Sequence, residues 1–254
     1  MAVSKLQTSL NMPEDKFTIL STRPLEQAVI IEAKIKDIEI DTISFIRTEP
    51  VKNSFLQKRI AEIVESPLTV IITSMNAAEA VAAYSQGLEP RWLIYCLGTA
   101  TKKIVEQHFP ESKIVGEADN ASLLADEIIK NKEKKVIFFC GDQRRDDLPE
   151  KLTGYNILVE EIIVYNTIAT PYKVDKDYDG ILFFSSSAVK SFFSLNTITA
   201  RTVLFAIGTT TAESIKQYSA DKIIESDHPG KQSLVERAIN YFGNLNHTNE
   251  CIKK

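Results

Sequence analysis

The sequence predicts an α/β fold in which two similar domains are each built on a doubly wound parallel sheet. Short apolar runs such as residues 68–73 and 136–140 lack polar alternation, which is typical of strands buried on both faces. Each run is followed by a turn of small or hydroxyl residues and then by a helical pattern, and this order indicates parallel strands. The order returns in the second half of the chain, where Gly98 recurs as Gly208. Solenoid repeats are shorter, roughly 20–50 residues, so the duplication indicates two domains of about five strands each.

The central stretch of the chain, residues 135–171, predicts a complete β-α-β unit that delivers Tyr165 at the carboxyl end of its second strand. Its strand, helix and strand are expected at residues 136–140, 144–152 and 157–164. The chain begins with the same unit, expected at residues 17–20, 23–36 and 38–47. The duplication therefore includes this unit as well.

The remaining elements complete the two halves. Further strands are expected at residues 68–73, 92–97, 113–115, 181–184, 203–207 and 222–224. Further helices are expected at residues 77–85, 121–130, 188–195 and 233–242, and two more end at His108 and Tyr218. Residues 1–16 are polar and aperiodic, so we expect a flexible leader rather than a signal peptide. Residues 244–254 are likewise expected to be a flexible tail.

Composition excludes several classes of protein. A net charge of −4 and a pI near 5.6 argue against a nucleic-acid partner, because phosphates require a clustered basic face. No apolar run approaches the roughly 20 residues of a membrane span. Cys96, Cys140 and Cys251 lack the spacing of a metal or redox motif and indicate reduced thiols in the cytoplasm. Dinucleotide, P-loop and zinc motifs are absent as well.

The turns after the strands are the candidate binding sites, because ligands of open α/β sheets bind beyond the carboxyl ends of the strands. Most of these turns open directly into a helix, whose free N–H groups bind carboxylate or phosphate. The alternative is that these residues are ordinary N-caps. The candidates are Arg23, Ser74, Asn76, Gly98, Thr99, Ser185, Ser186, Ser187, Gly208, Thr209 and Thr210.

Tyr165 is the candidate catalytic residue, because it stands where the chain leaves one predicted domain for the other. Its phenol could donate a hydrogen bond or act as a weak general acid. The alternative is that it is a packing residue, as most strand-end tyrosines are. The chain has only three histidines, and they are expected at the surface, so acid–base chemistry by imidazole is not indicated.

Seven segments in this order and spacing resemble the uroporphyrinogen-III synthase family, across residues 17–242. They are Thr22-Arg23-Pro24, ITSMNAAEAV at 72–81, LGTATKK at 97–103, CGDQRRDDLPEKL at 140–152, VYNTIATP at 164–171, FFSSSAVKSFF at 183–193 and AIGTTTAESI at 206–215. The resemblance implies two flavodoxin-like domains joined by a two-strand hinge, with a cleft between them. It also implies that residues 17–47 and 169–243 form one discontinuous domain and residues 48–168 the other.

The resemblance further implies the reaction. Members of this family cyclise the linear tetrapyrrole hydroxymethylbilane to uroporphyrinogen III, with inversion of ring D through a spirocyclic pyrrolenine and loss of water. No metal or organic cofactor is implied. Tyr165 would donate a proton to the departing hydroxyl, and the turn residues would contact the acetate and propionate groups of the substrate. Arg145 would either bind a carboxylate or form a structural ion pair.

Two other functions remain open from the residues alone. A hinged small-molecule-binding protein would have the same paired lobes and a ligand in the cleft. A relative that had lost catalysis could retain the fold as a regulatory module. We expect a monomer, because no sustained apolar seam suggests assembly.

Overall fold

The computed structural model describes residues 16–85, 87–219, 222–228 and 230–252, and it confirms the α/β fold class. The chain divides into two compact units. Unit 1 comprises the described residues up to Phe45 and from Thr170 onward, and unit 2 comprises Ile46–Ala169.

Unit 1 alternates strands and helices throughout. Its strands are β1 (Phe17–Ser21), β2 (Ile38–Thr42), β9 (Gly180–Phe183), β10 (Val203–Ala206) and β11 (Ile223–Glu225). Its helices are α1 (Gln27–Ile35), α7 (Ser186–Phe193), α8 (Thr209–Lys216) and α9 (Lys231–Ile252). The five strands form one sheet in the order β2-β1-β9-β10-β11, and every pairing is parallel.

Unit 2 has one more strand. Its strands are β3 (Ile46–Pro50), β4 (Thr69–Ile72), β5 (Leu93–Leu97), β6 (Lys113–Ala118), β7 (Lys135–Gly141) and β8 (Leu158–Ala169). Its helices are α2 (Ser54–Val64), α3 (Met75–Ser85), α4 (Gly98–His108), α5 (Ala121–Lys130) and α6 (Asp147–Gly154). The sheet order is β3-β8-β7-β4-β5-β6. All pairs are parallel except that β3 runs antiparallel to β8 at the edge.

The two sheets share a strand order, as the duplication predicts. Unit 1 reads β2-β1-β9-β10-β11, and unit 2 reads β8-β7-β4-β5-β6 once its edge strand is set aside. In each unit a β-α-β pair supplies two strands and a second run of the chain supplies three. The order reverses between β1 and β9 in one unit and between β7 and β4 in the other, which is where such sheets bind ligands.

Successive residues of the central strands point to opposite faces, and both faces are buried. In unit 2, Ile72 and Phe139 pack in one core with α2, α3 and α4, whereas Ile71 and Phe138 pack in another with α5 and α6. In unit 1, α1 and α9 cover one face of the sheet. These strands show no polar alternation in the sequence because neither face meets water.

The element predictions need correction at three places. The run 38–47 is not one strand, because the chain leaves the first sheet after Thr42 and Phe45 is buried in unit 1, with its ring 5.2 Å from that of Phe192. Helix α2 was not predicted at all. The last helix does not end at Phe242, because Gly243 stays helical and no proline follows it, and the helix continues to Ile252.

Two other predictions concern the ends and the membrane. The expected flexible start, residues 1–16, lies outside the described residues apart from Lys16. Among the described helices, none combines the length and the apolar character needed to cross a bilayer.

Candidate functional site

At the carboxyl edge of the unit 2 sheet, the predicted site residues Tyr165 and Ser74 lie close together, next to Gly141. Tyr165 of β8 lies opposite Gly141, the last residue of β7. Its phenol oxygen is 3.3 Å from Ser74 Oγ, which follows β4. Because β8, β7 and β4 are consecutive in the sheet, the aromatic ring spans the width of β7 to reach Ser74.

Gly141 makes this crossing possible because it has no side chain. A Cβ placed on it would lie 2.5 Å from Cζ of Tyr165 and 2.8 Å from the phenol oxygen. Any other residue would occupy the space of the ring. The close approach of the ring, rather than an unusual backbone conformation, is therefore what requires glycine here.

An irregularity in the strand aims the tyrosine toward this face. Cys140 pairs with Ile163, but Gly141 pairs with Tyr165, so Val164 is the extra residue of a bulge. Val164 and Tyr165 consequently both pack against the core that contains Ile162, although successive strand residues ordinarily point to opposite faces. Bulges often re-aim a side chain next to a functional site.

Ser74 connects the phenol to the start of α3. Its Oγ accepts a hydrogen bond from the Ala77 N–H at 3.1 Å and donates one to the Tyr165 oxygen at 3.3 Å. The serine is thus an N-cap, as the alternative prediction held, and it is also a partner of the tyrosine. With its oxygen accepting from Ser74, the phenol O–H can still donate to a ligand.

A small cavity opens beside the phenol. Its volume is about 160 Å³. Asn76, a predicted binding residue, lines it together with Tyr165. The other lining residues were not predicted from the sequence and are Thr48, Pro50, Glu79 and Ala80. Glu79 follows Asn76 by three positions on α3, and this helical spacing is the one signal that could have identified it.

Gly98 and Thr99 lie at the neighbouring edge position, at the start of α4. Gly98 has φ of +74°, a left-handed conformation that favours glycine. A Cβ there would meet nothing within 4 Å, and Thr99 is exposed in the first turn of the helix. The start of this helix is therefore uncrowded on the side of Gly98, and its first-turn N–H groups have no partner within the helix.

Arg145 lies on the exposed surface of unit 2. Its side chain is 60% exposed, and Nη1 lies 4.0 Å from Asp147 Oδ2. The neighbouring Arg144 is more buried and forms ion pairs with Glu161 and Asp146. Burial, together with the charge of Glu161, raises the pKa of the adjacent Cys140 thiol to about 11, so this thiol is not a nucleophile at neutral pH.

Unit 1 has the equivalent edge of its own sheet. The Ser185 Oγ caps α7 by accepting from the Ala188 N–H at 3.1 Å, and the Ser186 Oγ donates to the Thr210 carbonyl at 3.2 Å. The Thr209 hydroxyl donates to Glu225 Oε2 at 3.0 Å. The turns that follow β9 and β10 are therefore joined directly.

The remaining predicted residues of unit 1 flank these turns. Arg23 lies with its guanidinium carbon 5.7 Å from the centre of the Phe184 ring, which is a cation–π geometry. Gly208 is the extended N-cap residue of α8, and Ser187 lies in the first turn of α7. The structure thus gathers Arg23, Ser185–Ser187 and Gly208–Thr210 along the edge of one sheet.

Comparison with known sequences identifies a matching family model and two related proteins. The sequence matches the family model described as uroporphyrinogen-III synthase HemD over residues 31–236. It is similar to a uroporphyrinogen-III synthase of Saccharomyces cerevisiae, 30% identical over 113 residues, which are 41% of this chain and 39% of that protein. An uncharacterized Rickettsia prowazekii protein is 24% identical over 188 residues, or 73% of this chain and 63% of that one. The chain thus spans less than two thirds of the length of these curated relatives.

Solved structures show the same fold. Uroporphyrinogen-III synthetase from Helicobacter pylori has a TM-score of 0.64 at 15% identity, covering 89% of this chain and 99% of that one. A mutant uroporphyrinogen III synthase from Thermus thermophilus has a TM-score of 0.60 at 11% identity, covering 89% and 98%. At such low sequence identity, the structural similarity shows that the fold is shared.

Proposed function

The chain belongs to the uroporphyrinogen-III synthase family, and we propose that it catalyses the cyclisation of hydroxymethylbilane that members of this family carry out. In this reaction a linear tetrapyrrole, hydroxymethylbilane, loses its terminal hydroxyl as water and closes to uroporphyrinogen III with ring D inverted. The reacting pyrroles are electron-rich, so the demands on the protein are orientation and one assisted proton transfer.

The contact between Tyr165 and Ser74 is the observation that carries this proposal. The phenol oxygen accepts from Ser74 at 3.3 Å, which leaves its own O–H available to donate to a second acceptor. We propose that this acceptor is the departing hydroxyl of the substrate. A proton delivered there lets the oxygen leave as water, while the electrons of the pyrrole nitrogen form an azafulvenium cation. Loss of the pyrrole N–H proton to solvent then gives the neutral azafulvene.

The substrate carboxylates are proposed to bind at the edge turns of each unit. Helices α3 and α4 in unit 2 and α7 and α8 in unit 1 begin at these turns. Their unpaired N–H groups and positive dipole ends attract anions without a basic patch, which suits a chain of net charge −4. The contacts are largely to main chain, so loss of single side chains there would be mild.

The experiment is to supply enzymatically generated hydroxymethylbilane and to separate the type III and type I uroporphyrinogen products after oxidation. We expect the wild-type chain to shift the product to type III. Tyr165→Phe should lower the rate by roughly 10²-fold or more, as expected when a general acid is lost. Tyr155→Phe alters an exposed tyrosine in the same unit and serves as the matched control.

Two outcomes would contradict the proposal. Spontaneous type I product alone, formed in the presence of folded wild-type protein and intact substrate, would remove the catalytic function. A Tyr165→Phe variant as fast as wild type would leave the function but remove the role of the phenol.

We also propose that the chain works as a monomer in the cytoplasm. Cys96 and Cys140 are buried free thiols, which suit a reducing compartment. Sedimentation of the full chain measures its assembly state.

A further inference from the structure

The loop after β7 holds strand β8 at the position of the phenol. The Asp142 N–H donates to the Tyr165 carbonyl at 3.1 Å. The Asp142 Oδ1 accepts from the Thr167 N–H at 2.8 Å. The Gln143 side-chain amide completes the arrangement by donating to the Thr167 carbonyl at 3.2 Å.

The side chains of Asp142 and Gln143 form hydrogen bonds to β8 where the backbone pairing between β7 and β8 stops. The ladder between β7 and β8 ends at Gly141 and Tyr165, immediately after the bulge. Beyond this point β8 has no strand on its β7 side, although β3 still pairs with it on the other. Asp142 and Gln143 therefore supply the bonds that a continued β7 would have supplied to Thr167.

Resting on the function proposed above, we propose that Asp142, assisted by Gln143, is a positioning residue for Tyr165. Asp142 forms hydrogen bonds with the backbone of Tyr165 and of Thr167, the two neighbours of Asn166. These bonds fix the direction in which the bulged strand orients the phenol. Asp142 and Gln143 are both exposed and belong to neither core of unit 2. Removing the carboxylate should therefore loosen the strand locally and leave the fold of unit 2 intact.

Amide hydrogen exchange tests the contact without reference to activity. Asp142→Ala should lose protection at the Thr167 N–H, whereas Asp142→Asn retains an oxygen that accepts the same bond and should restore it. Asn120→Ala is the matched control, because it removes a comparable exposed acceptor of a backbone N–H, that of Leu123 at 3.0 Å. It should leave exchange at Thr167 unchanged.

Kinetics test whether the contact acts through the tyrosine. Asp142→Ala should lower kcat about tenfold or more with little change in KM, because a misplaced catalytic group loses rate rather than affinity. Asp142→Asn should recover most of the rate. In a Tyr165→Phe background, Asp142→Ala should change the rate less than roughly twofold, since coupled residues are not additive.

The outcomes separate this proposal from the one on which it rests. An active wild type whose Asp142→Ala variant is equally fast, or is slowed by the same factor with and without the Tyr165 hydroxyl, would overturn the positioning role alone. Unchanged exchange at Thr167 in Asp142→Ala would also overturn it. A wild type without type III product would overturn the catalytic function, and the positioning role with it.

Discussion

At the scale of single residues, the position of the Tyr165 phenol depends on Gly141 having no side chain. Gly141 is buried, and the ring of Tyr165 fills the place where its Cβ would be. Gly141 is not among the glycines with a left-handed backbone, unlike Gly98. Its absent side chain, rather than conformational freedom, therefore places the phenol across β7.

We predict that Gly141→Ala disables the site. The new methyl would lie 2.5 Å from a ring carbon, so the ring must move away from Ser74. We expect a loss of about 1–3 kcal/mol in the free energy of unfolding, as in other overpacked sites, and a large drop in the rate of type III formation. Urea unfolding and the product assay measure the two effects.

Gly154→Ala is the control for that substitution. A Cβ on Gly154, the last residue of α6, would meet nothing within 4 Å, and alanine favours helix over glycine. This variant should be as active as wild type and no less stable. A Gly141→Ala protein with the wild-type rate would show that the phenol need not lie over β7.

The residue scale also shows what the sequence could not reveal about the site. Tyr165 could be selected because a tyrosine follows a β-branched run at a predicted crossing. Its contact with Ser74 could not, because the bulge at Val164 has no glycine or other marker in the run. Alternation alone would have placed the ring on the opposite face of the sheet.

At the scale of elements, α2 is a helix whose sequence signals are present but were not used to predict it. Asn53 caps it by accepting from the Leu56 N–H at 2.6 Å. Leu56, Ile60 and Ile63 then recur at helical spacing and are buried. These signals are weaker than those of the adjacent strand Thr69–Ile72, whose apolar run is continuous.

The split between β2 and β3 was hidden for a different reason. The residues from Ile38 to Arg47 are rich in β-branched side chains and contain no glycine or proline. Local propensity therefore predicts one strand. The chain divides there because Phe45 is buried in unit 1 while Ile46 pairs with Ala169 in unit 2, and such long-range packing is invisible to local patterns.

An ion-pair network attaches α2 to the sheet. Arg59 Nε and Nη2 donate to Glu160 Oε1 at 3.0 and 2.6 Å, and Lys135 Nζ lies 3.0 Å from Oε2 of the same carboxylate. Burial opposes the charge of Glu160, but the hydrogen bonds from Arg59 and Lys135 prevail and lower its pKa. The network therefore stabilises unit 2 only while the carboxylate is ionised.

We predict that Arg59→Ala destabilises unit 2 by about 1 kcal/mol at neutral pH, since the pair is partly exposed. A carboxylate with a lowered folded-state pKa contributes stability above its unfolded pKa and loses it as the pH falls through the folded value. The difference between variant and wild type should therefore shrink below about pH 4. Urea unfolding followed by Trp92 fluorescence measures it.

Lys58→Ala is the control for the network. Lys58 is an exposed cation one position away on the same helix, so its removal changes the net charge equally. It should cost little at any pH. An Arg59→Ala penalty that persisted unchanged in acid would show that packing of the Arg59 stem, not the ion pair, holds α2.

At the scale of the whole molecule, the duplication explains why the fold class was predictable and the chain path was not. Strand-helix alternation recurs in each half of the sequence, and each sheet has the same strand order. The crossing of the chain from unit 1 to unit 2 and back was implied only by the family resemblance. The local sequence does not indicate which segments of the chain contribute strands to the same sheet.

The unit boundaries suggest that each unit is a domain with its own folding free energy. The two cores of unit 2 contain only residues between positions 51 and 165, and the core formed with α1 and α9 contains only unit 1 residues. Trp92 is the single tryptophan of the chain. It is buried in unit 2, where its indole N–H donates to the Ile63 carbonyl at 3.1 Å.

We therefore predict that residues 46–169 fold when expressed alone. Ile46 and Ala169 are paired at the edge of the sheet, so the excised ends lie together and no strand of the unit is cut. The Trp92 transition in urea should then have nearly the same midpoint in the excised segment as in the full chain, because fluorescence reports unit 2 in both. Near-ultraviolet circular dichroism of the segment checks that the core is packed. A segment without a cooperative transition would mean that unit 2 requires the flanking residues to fold, and that the two units are one thermodynamic domain despite their separate sheets.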